Sequence, residues 1–388
     1  MSVLCAPPAR ARVRDSAAVQ ALSISSTLSV GSVLVALVGL TAFIAALFLA
    51  TMILPGRVVR GTPLANGERR SYKLNGMALW VLAHMVVIGS TVVFGASLSP
   101  LVSEWFWPLF VAANLFSIAW SIVLYRGGKR REAARGEVRE EALVSEFWYG
   151  AELNPELAGV DLKLFAYQPS LIGLHVLVAA FGYLHVETVG TMTPQMLLYQ
   201  AFWWLYLYSH YRHEDGLVSM WDVIAERFGF MLVWGDLTLV PFFYCLGGWF
   251  LVDQREPIGA PAIAGLCLLF AAGLWIFRGA NRQKHLFKLD RSIPIWGRTP
   301  EVLGDRLLVS GFWGIGRKLN YSGELMVYLA IAMTTGFASL TPYLVFFWLL
   351  GLLTHRAWRD DRRCKARYGA LWAAYCERAR FKMIPFIY

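Results

Sequence analysis

Long apolar runs alternate with short, mostly basic connections along the 388 residues. A helix that crosses hydrocarbon needs about 20 apolar residues. The runs that reach or approach this are 28–54, 75–98, 105–125, 170–186, 194–211, 228–252 and 259–278. Beyond Glu324 comes "LMVYLAIAMTTGFASLTPYLVFFWLLGLL", long enough for two short helices meeting between Gly336 and Pro342, because proline disfavours a continuing helix. The pattern predicts an all-α integral membrane protein of nine or ten spans.

The connections predict the orientation. Loop 55–74 carries Arg57, Arg60, Arg69, Arg70 and Lys73, and loop 126–169 carries Arg126, Lys129, Arg130, Arg131, Arg135, Arg139 and Lys163. The opposite connections, 99–104 and 187–193, have neither Lys nor Arg. Positive loops mark the cytoplasmic face. Alternation then puts 279–323 and 355–388 on that face too, and leaves the N-terminal Arg10, Arg12 and Arg14 on the other, against the rule. Residues 1–27, rich in Ala, Arg and Ser, read as a flexible tail, and the apolar run after them is too long for a signal-peptide core.

Composition agrees with the pattern. The chain is 57% hydrophobic and 16% charged, with mean hydropathy +0.49, against about a quarter charged in soluble domains. Its 16 Trp and 16 Tyr suit the interfacial layers of a bilayer. A net charge of +10 would suggest nucleic acid in a soluble protein. In this chain it implies contact with an anionic leaflet, or an anionic ligand, and no nucleic-acid partner. The five cysteines form no C-x-x-C pair, and the histidines have no zinc spacing. No metal site or disulfide framework is expected.

The basic residues of the last third exceed what topology requires, which points to a polyanionic cytosolic ligand. Lys284 and Lys288, four apart, share a helix face and suit phosphates as well as headgroups. "LLVSGFWGIGRKLNYSGEL" (Leu307–Leu325) sets Arg317, Lys318, Asn320, Tyr321 and Glu324 beside a span. Its Gly314-Ile-Gly316 lacks the strand, helix and third glycine of a dinucleotide fingerprint. Trp313 and Tyr321 are able to stack on a planar ring or to sit in the interface. In "THRAWRDDRRCKARYG" Asp360 follows Arg356 by four, which predicts an ion pair and makes Asp360 an anchor or orienter. Tyr368 and Tyr375 lie one heptad apart. Tyr206, Tyr208, His210, Glu214 and Asp215 gather at the exit of one span, and Asp236 is an ionisable group inside another, with a carbonyl or Lys expected as its partner.

These motifs, with "LPGRVVRGTPLANGERRSYKLNG", "GAELNP", "FGFMLVWGDLTLVPFFY", "NRQKHLFK" and "IPFIY", resemble the membrane-integral sterol reductases: the Δ14-, Δ7- and Δ24(28)-reductases and the reductase-like domain of the lamin B receptor. The resemblance implies about ten transmembrane helices, with sterol-pocket helices over 28–258 and an NADPH-binding part over 259–388 that opens to the cytoplasm. The cofactor contacts it implies are Lys284, Lys288, Trp313, Asn320, Tyr321, Arg356, Asp360, Cys364, Tyr368 and Tyr375. The implied catalytic residues are Tyr206, as proton donor, and Asp360. A sterol would come from the bilayer, and lipids would be the other partners. The membrane would be a bacterial inner membrane or the endoplasmic reticulum.

The chain departs from the family pattern at two places. Ser209 stands where an aspartate is usual three residues after the tyrosine, and Lys318 replaces a histidine. "SGFWG", "IWGRTP" and "LTPY" read closer to the Δ7 branch and "FGFML" to the Δ14 branch, so the balance favours Δ7. Two other classes compete. An isoprenylcysteine-type methyltransferase is disfavoured by the basic Lys284–Lys288 segment and by Asn320-Tyr321 where a His-Pro pair is expected. A non-catalytic sterol-binding scaffold is kept open by Ser209 and Lys318.

Overall fold

The computed structural model describes residues 28–62, 67, 69–136 and 142–388. The N-terminal tail with its three arginines, and Arg139, lie outside them. Among the described residues, six helices are long and apolar enough to cross a membrane: α1 (Val30–Ile53), α2 (Gly76–Phe94), α3 (Phe106–Ala134), α4 (Leu162–Val189), α6 (Phe230–Leu251) and α7 (Ala260–Leu289). The other runs are helical too: α5 (Pro194–Arg212), α8 (Leu319–Met333) and α9 (Leu344–Tyr368). The break after Glu324 falls at Thr334–Tyr343, where a one-turn helix starts with Pro342 near its N-terminus. Strands among the described residues are confined to three short antiparallel hairpins, the largest pairing β1 (Arg57–Arg60) with β2 (Ser71–Leu74).

Five expected loop charges belong to helices. Arg126 and Lys129–Arg131 lie in the last turns of α3, where Lys129 pairs with Glu132 at 2.7 Å and Glu146 at 3.0 Å. Lys163 lies in the first turn of α4, which starts eight residues before the apolar run at 170. It is 1% exposed and donates to the carbonyls of Asp222, Val223 and Glu226 at 2.8, 3.1 and 2.6 Å. Three carbonyls satisfy an ammonium group that hydropathy alone would place in water.

The last third is built on a close helix crossing. A Cβ on Gly273 of α7 would come within 2.8 Å of the Gly323 carbonyl of α8, and one on Gly323 within 2.5 Å of Phe277 N. Small residues let the two backbones touch. That contact brings residues 281–288 level with 313–321. Gly369, at φ +53°, then turns α9 into α10 (Ala370–Arg378), and the chain end folds back so that Gly316 bridges Phe381.

Candidate active site

Two polar zones meet on α8. The outer one surrounds Trp313, whose indole N–H donates to Ala280 O (2.9 Å) and whose carbonyl accepts from the Tyr375 hydroxyl (3.1 Å). Gln283 accepts from Phe312 N at 2.9 Å. With the indole N–H held by Ala280 and the Trp313 backbone tied to Tyr375, Lys284 Nζ sits 4.6 Å over the ring, a cation–π contact. Neither Lys284 nor Lys288 pairs with a carboxylate among the described residues, and both are exposed. Asn320 donates to Asn281 Oδ1 at 3.2 Å, while its own Oδ1 is enclosed without a partner. Uncompensated lysines beside an orphaned amide oxygen form a site that suits a guest carrying both an anionic group and a hydrogen-bond donor.

Asp360 is held by Lys318 and by Arg363 (2.6 Å). The expected Arg356–Asp360 pair does not form. Arg356 instead reaches Asp222 at 2.9 Å, because a buried carboxylate on the Glu214–Ile224 segment outcompetes a helix neighbour already neutralised by two cations. Asp222 and Arg363 are thus site-forming residues that helix spacing alone does not reveal. Tyr321 lies within electrostatic range of Lys318, Arg356, Asp360 and Glu324, and Cys364 of Asp360, Lys318, Arg363 and Lys284. The turn at Gly369 breaks the heptad relation of Tyr368 and Tyr375. Trp372 joins them instead, with ring centroids 6.4 and 5.1 Å away. Burial pushes the Tyr375 hydroxyl pKa well up, which keeps it a donor.

Arg317 and Ser322 belong to a different task. Arg317 donates to Ala379 O (2.7 Å) and Arg380 O (3.2 Å) and lies 3.4 Å from Asp361, while Ser322 donates to Met383 O (2.7 Å). Both pin the chain end, so the polar stretch at 317–324 divides between scaffold and site.

The inner zone centres on Tyr206. Its hydroxyl donates to Glu324 Oε1 at 3.3 Å and accepts from Tyr328 at 3.2 Å. Phe277 lies parallel to its ring at 6.5 Å, and Tyr244 packs edge-on to Tyr328 at 5.5 Å. Arg278 is within electrostatic range of Glu324, and its Nε has no partner. The Ser209 side chain takes no part in this network among the described residues; its carbonyl meets His213 at 2.9 Å. The carboxylate beside the tyrosine is therefore Glu324, from α8. Its signal in the sequence is a polar stripe, Tyr321, Glu324 and Tyr328, at i, i+3 and i+7 on a helix that is otherwise apolar from Leu325 to Met333.

The other residues at the α5 exit separate. Tyr208 faces outward against Trp204, its ring parallel within 4°. Glu214 caps α2, accepting from Gly76 N at 3.0 and 3.1 Å, and burial raises its pKa. Asp215 lies 3.9 Å from Arg57 and 3.8 Å from His285. Asp236 begins a π-helical segment, Gly235–Phe243. Among the described residues its carboxyl has neither the lysine nor the carbonyl partner expected of it, and it is within electrostatic range of Tyr167, Tyr244 and Asp222.

The profile of the Ergosterol biosynthesis ERG4/ERG24 family matches residues 28–388. A Delta(14)-sterol reductase of Arabidopsis thaliana is 36% identical over 345 residues, 88% of this chain and 93% of that protein. The Delta(14)-sterol reductase of Methylotuvimicrobium alcaliphilum is 34% identical over 342 residues, 86% of this chain and 79% of that protein. Delta(14)-sterol reductase TM7SF2 of Mus musculus is 36% identical over 347 residues, 87% of this chain and 82% of that protein. A set of helices long and apolar enough to cross a membrane and a match over nearly the whole chain agree: the protein belongs to the Ergosterol biosynthesis ERG4/ERG24 family.

Proposed function

We propose that the protein is a multi-pass membrane enzyme that reduces the Δ14 double bond of a sterol with NADPH. The Δ7 preference drawn from "SGFWG", "IWGRTP" and "LTPY" gives way. The relatives named above are Δ14-reductases, and three short motifs weigh less than 342–347 aligned residues. The match along residues 28–388 likewise argues against the methyltransferase reading.

The observation that carries the proposal is the Tyr206 hydroxyl, held between Glu324 and Tyr328 on the same α8 that presents Asn320 and Tyr321 to the lysines. NADPH fits the outer zone. Lys284, Lys288 and Arg356 would take its phosphates, Asn320 and Asp360 its hydroxyl or amide groups, and Trp313, Tyr321, Tyr368 and Tyr375 would pack its rings, with Cys364 alongside. When bound it supplies the hydride. The chain supplies the rest. An isolated alkene is a poor hydride acceptor until one carbon is protonated. Tyr206 places an O–H within a buried cluster of aromatic rings for that step. Tyr328 donates to the phenolate left behind, and Glu324, once it has taken up a proton from solvent, would reverse its hydrogen bond to Tyr206 and return that proton. The sterol would arrive from the bilayer. We place the NADPH-binding part at 259–388, facing the cytoplasm, the sterol-pocket helices at 28–258, and count α5, α8 and α9 as further spans toward a total of about ten.

The test is incubation of the purified protein with NADPH and Δ14, Δ7, Δ8 and Δ24 sterols, with products resolved by mass spectrometry. Loss of the Δ14 bond alone is expected. Cofactor binding without turnover of any sterol would favour the scaffold reading instead.

A further inference from the structure

A second polar cluster lies on the outward-facing side of α2, α4 and α5, where Val81, Met85, Trp204 and Tyr208 are exposed, behind the Tyr206 cluster. Trp80 of α2 donates its indole N–H to His175 Nδ1 of α4 at 3.0 Å. An indole is a donor only, so His175 Nδ1 holds a lone pair and its Nε2 the hydrogen. His84, one turn after Trp80, places its Nδ1 2.8 Å from Trp80 O. A carbonyl only accepts, so His84 Nδ1 holds the hydrogen and its Nε2 the lone pair of a neutral imidazole. The two rings are 4.7 Å apart and half-buried. Neither Nε2 has a protein partner among the described residues. The face thus offers one donor and one acceptor side by side, the complement of a single hydroxyl.

Depth and shape narrow the guest. Gly76, Glu214 and Gln168 are joined by hydrogen bonds of 3.0 and 3.4 Å, and the charged Arg57 and Asp215 lie at the same end. His84 follows Gly76 by eight residues and His175 follows Gln168 by seven, which is roughly 10–12 Å along each helix at about 1.5 Å per residue. With about 30 Å of hydrocarbon inside about 40–45 Å of bilayer, that depth lies just within the hydrocarbon boundary. Unmatched polar groups are costly there, and the alcohol of an amphiphile standing in the leaflet reaches it. Beside the histidines, Trp80 and Trp204 lie 5.4 Å apart and Trp204 stacks on Tyr208 at 5.4 Å. Trp204 and Tyr208 are each 40% exposed, so part of this aromatic stack is open at the surface.

We propose that this face is a binding site for a flat-ringed membrane alcohol, a sterol, with its hydroxyl between His84 Nε2 and His175 Nε2–H and its rings against Trp204. The site is separate from the Tyr206 cluster, because Tyr206 lies on the opposite face of α5 from Trp204 and Tyr208. Its choice of ligand rests on the reading of the chain as a sterol enzyme.

The experiment uses the full chain in lipid nanodiscs. One photoreactive sterol carries a ring diazirine and a 3-hydroxyl, and a matched probe lacks that hydroxyl. Cross-linked peptides are mapped by mass spectrometry, and sterol reduction is assayed on the same samples. The hydroxylated probe should label the Trp80–Met85 and Trp204–Tyr208 segments. Labelling should fall about tenfold with the deoxy probe, as loss of a hydrogen-bonded pair predicts, and equally with His84→Phe, while NADPH binding persists. His175→Phe orphans the Trp80 indole and can unfold the bundle, so His84→Phe carries the test. Equal labelling by both probes, or labelling unchanged in His84→Phe, would overturn the site even where reduction proceeds. Hydroxyl-dependent labelling without reduction would uphold the site and count against the reductase reading alone.

Discussion

Tyr206 and Glu324 stand 118 residues apart in sequence and meet hydroxyl to carboxylate at 3.3 Å, with Tyr328 completing the contact from one turn further along α8. Helix α5 supplies the hydroxyl and helix α8 the acid. If Tyr206 is the proton donor, Tyr206→Phe removes the acidic hydrogen while leaving the ring against Phe277. Sterol reduction should fall about 10²–10⁴-fold, the usual weight of a positioned acid. NADPH affinity, read by titration calorimetry, should stay within twofold, on the order of the scatter of a remote mutation. Unchanged turnover would reject the assignment.

Glu324→Gln tests the relay rather than the donor. The amide keeps the shape and can still meet the Tyr206 hydroxyl, but it cannot pass a proton. The expected outcome is a kcat reduced by about tenfold or more, with KM for NADPH unaltered. Glu324→Ala should lose both turnover and stability, because Arg278 would then lie deep in the bundle without its carboxylate. Equal kcat for wild type and Glu324→Gln would remove Glu324 from the chemistry.

The outer zone yields a binding prediction. Lys284 and Lys288 lack carboxylate partners, so their truncation costs the apo protein little. Lys284→Met should raise KM for NADPH by about tenfold, typical of one charge-assisted hydrogen bond, and the double variant with Lys288→Met should raise it further. NADPH affinity should also weaken with ionic strength, less steeply in the variants. A KM that does not move would shift the phosphates elsewhere in the basic last third.

The order of the apolar helices is legible in the sequence because bilayer thickness sets a minimum length on each apolar run, and six of them among the described residues are long and apolar enough to cross. Helix ends are less so: Lys163 reads as a loop charge until three carbonyls from Asp222, Val223 and Glu226 are seen around it. Local spacing also misled at Arg356. Its i,i+4 relation to Asp360 is real on the helix, yet Asp222, 134 residues away, captures it. Glu324 was visible as a polar group before an apolar run, but the role it takes depends on α5 packing against α8, which no spacing within either helix encodes. Arg317 shows the reverse case, a charge that looks ligand-directed and instead holds the chain end.

That last assignment is testable by stability rather than activity. Arg317 is 7% exposed and binds two carbonyls of the tail as well as Asp361. Arg317→Met removes hydrogen bonds from a charged donor, worth about 1.5–3 kcal/mol, and leaves Asp361 facing Lys382 alone at 3.7 Å. The variant should unfold at lower temperature, and its residues 379–388 should become open to protease and exchange amide hydrogens faster. Ser322→Ala, which loses a single neutral bond to Met383 O, should show the same change at about 0.5–1.5 kcal/mol. Both variants should keep KM for NADPH close to the wild-type value when assayed well below their melting temperatures. A large KM increase without tail exposure in Arg317→Met would return that arginine to the cofactor site.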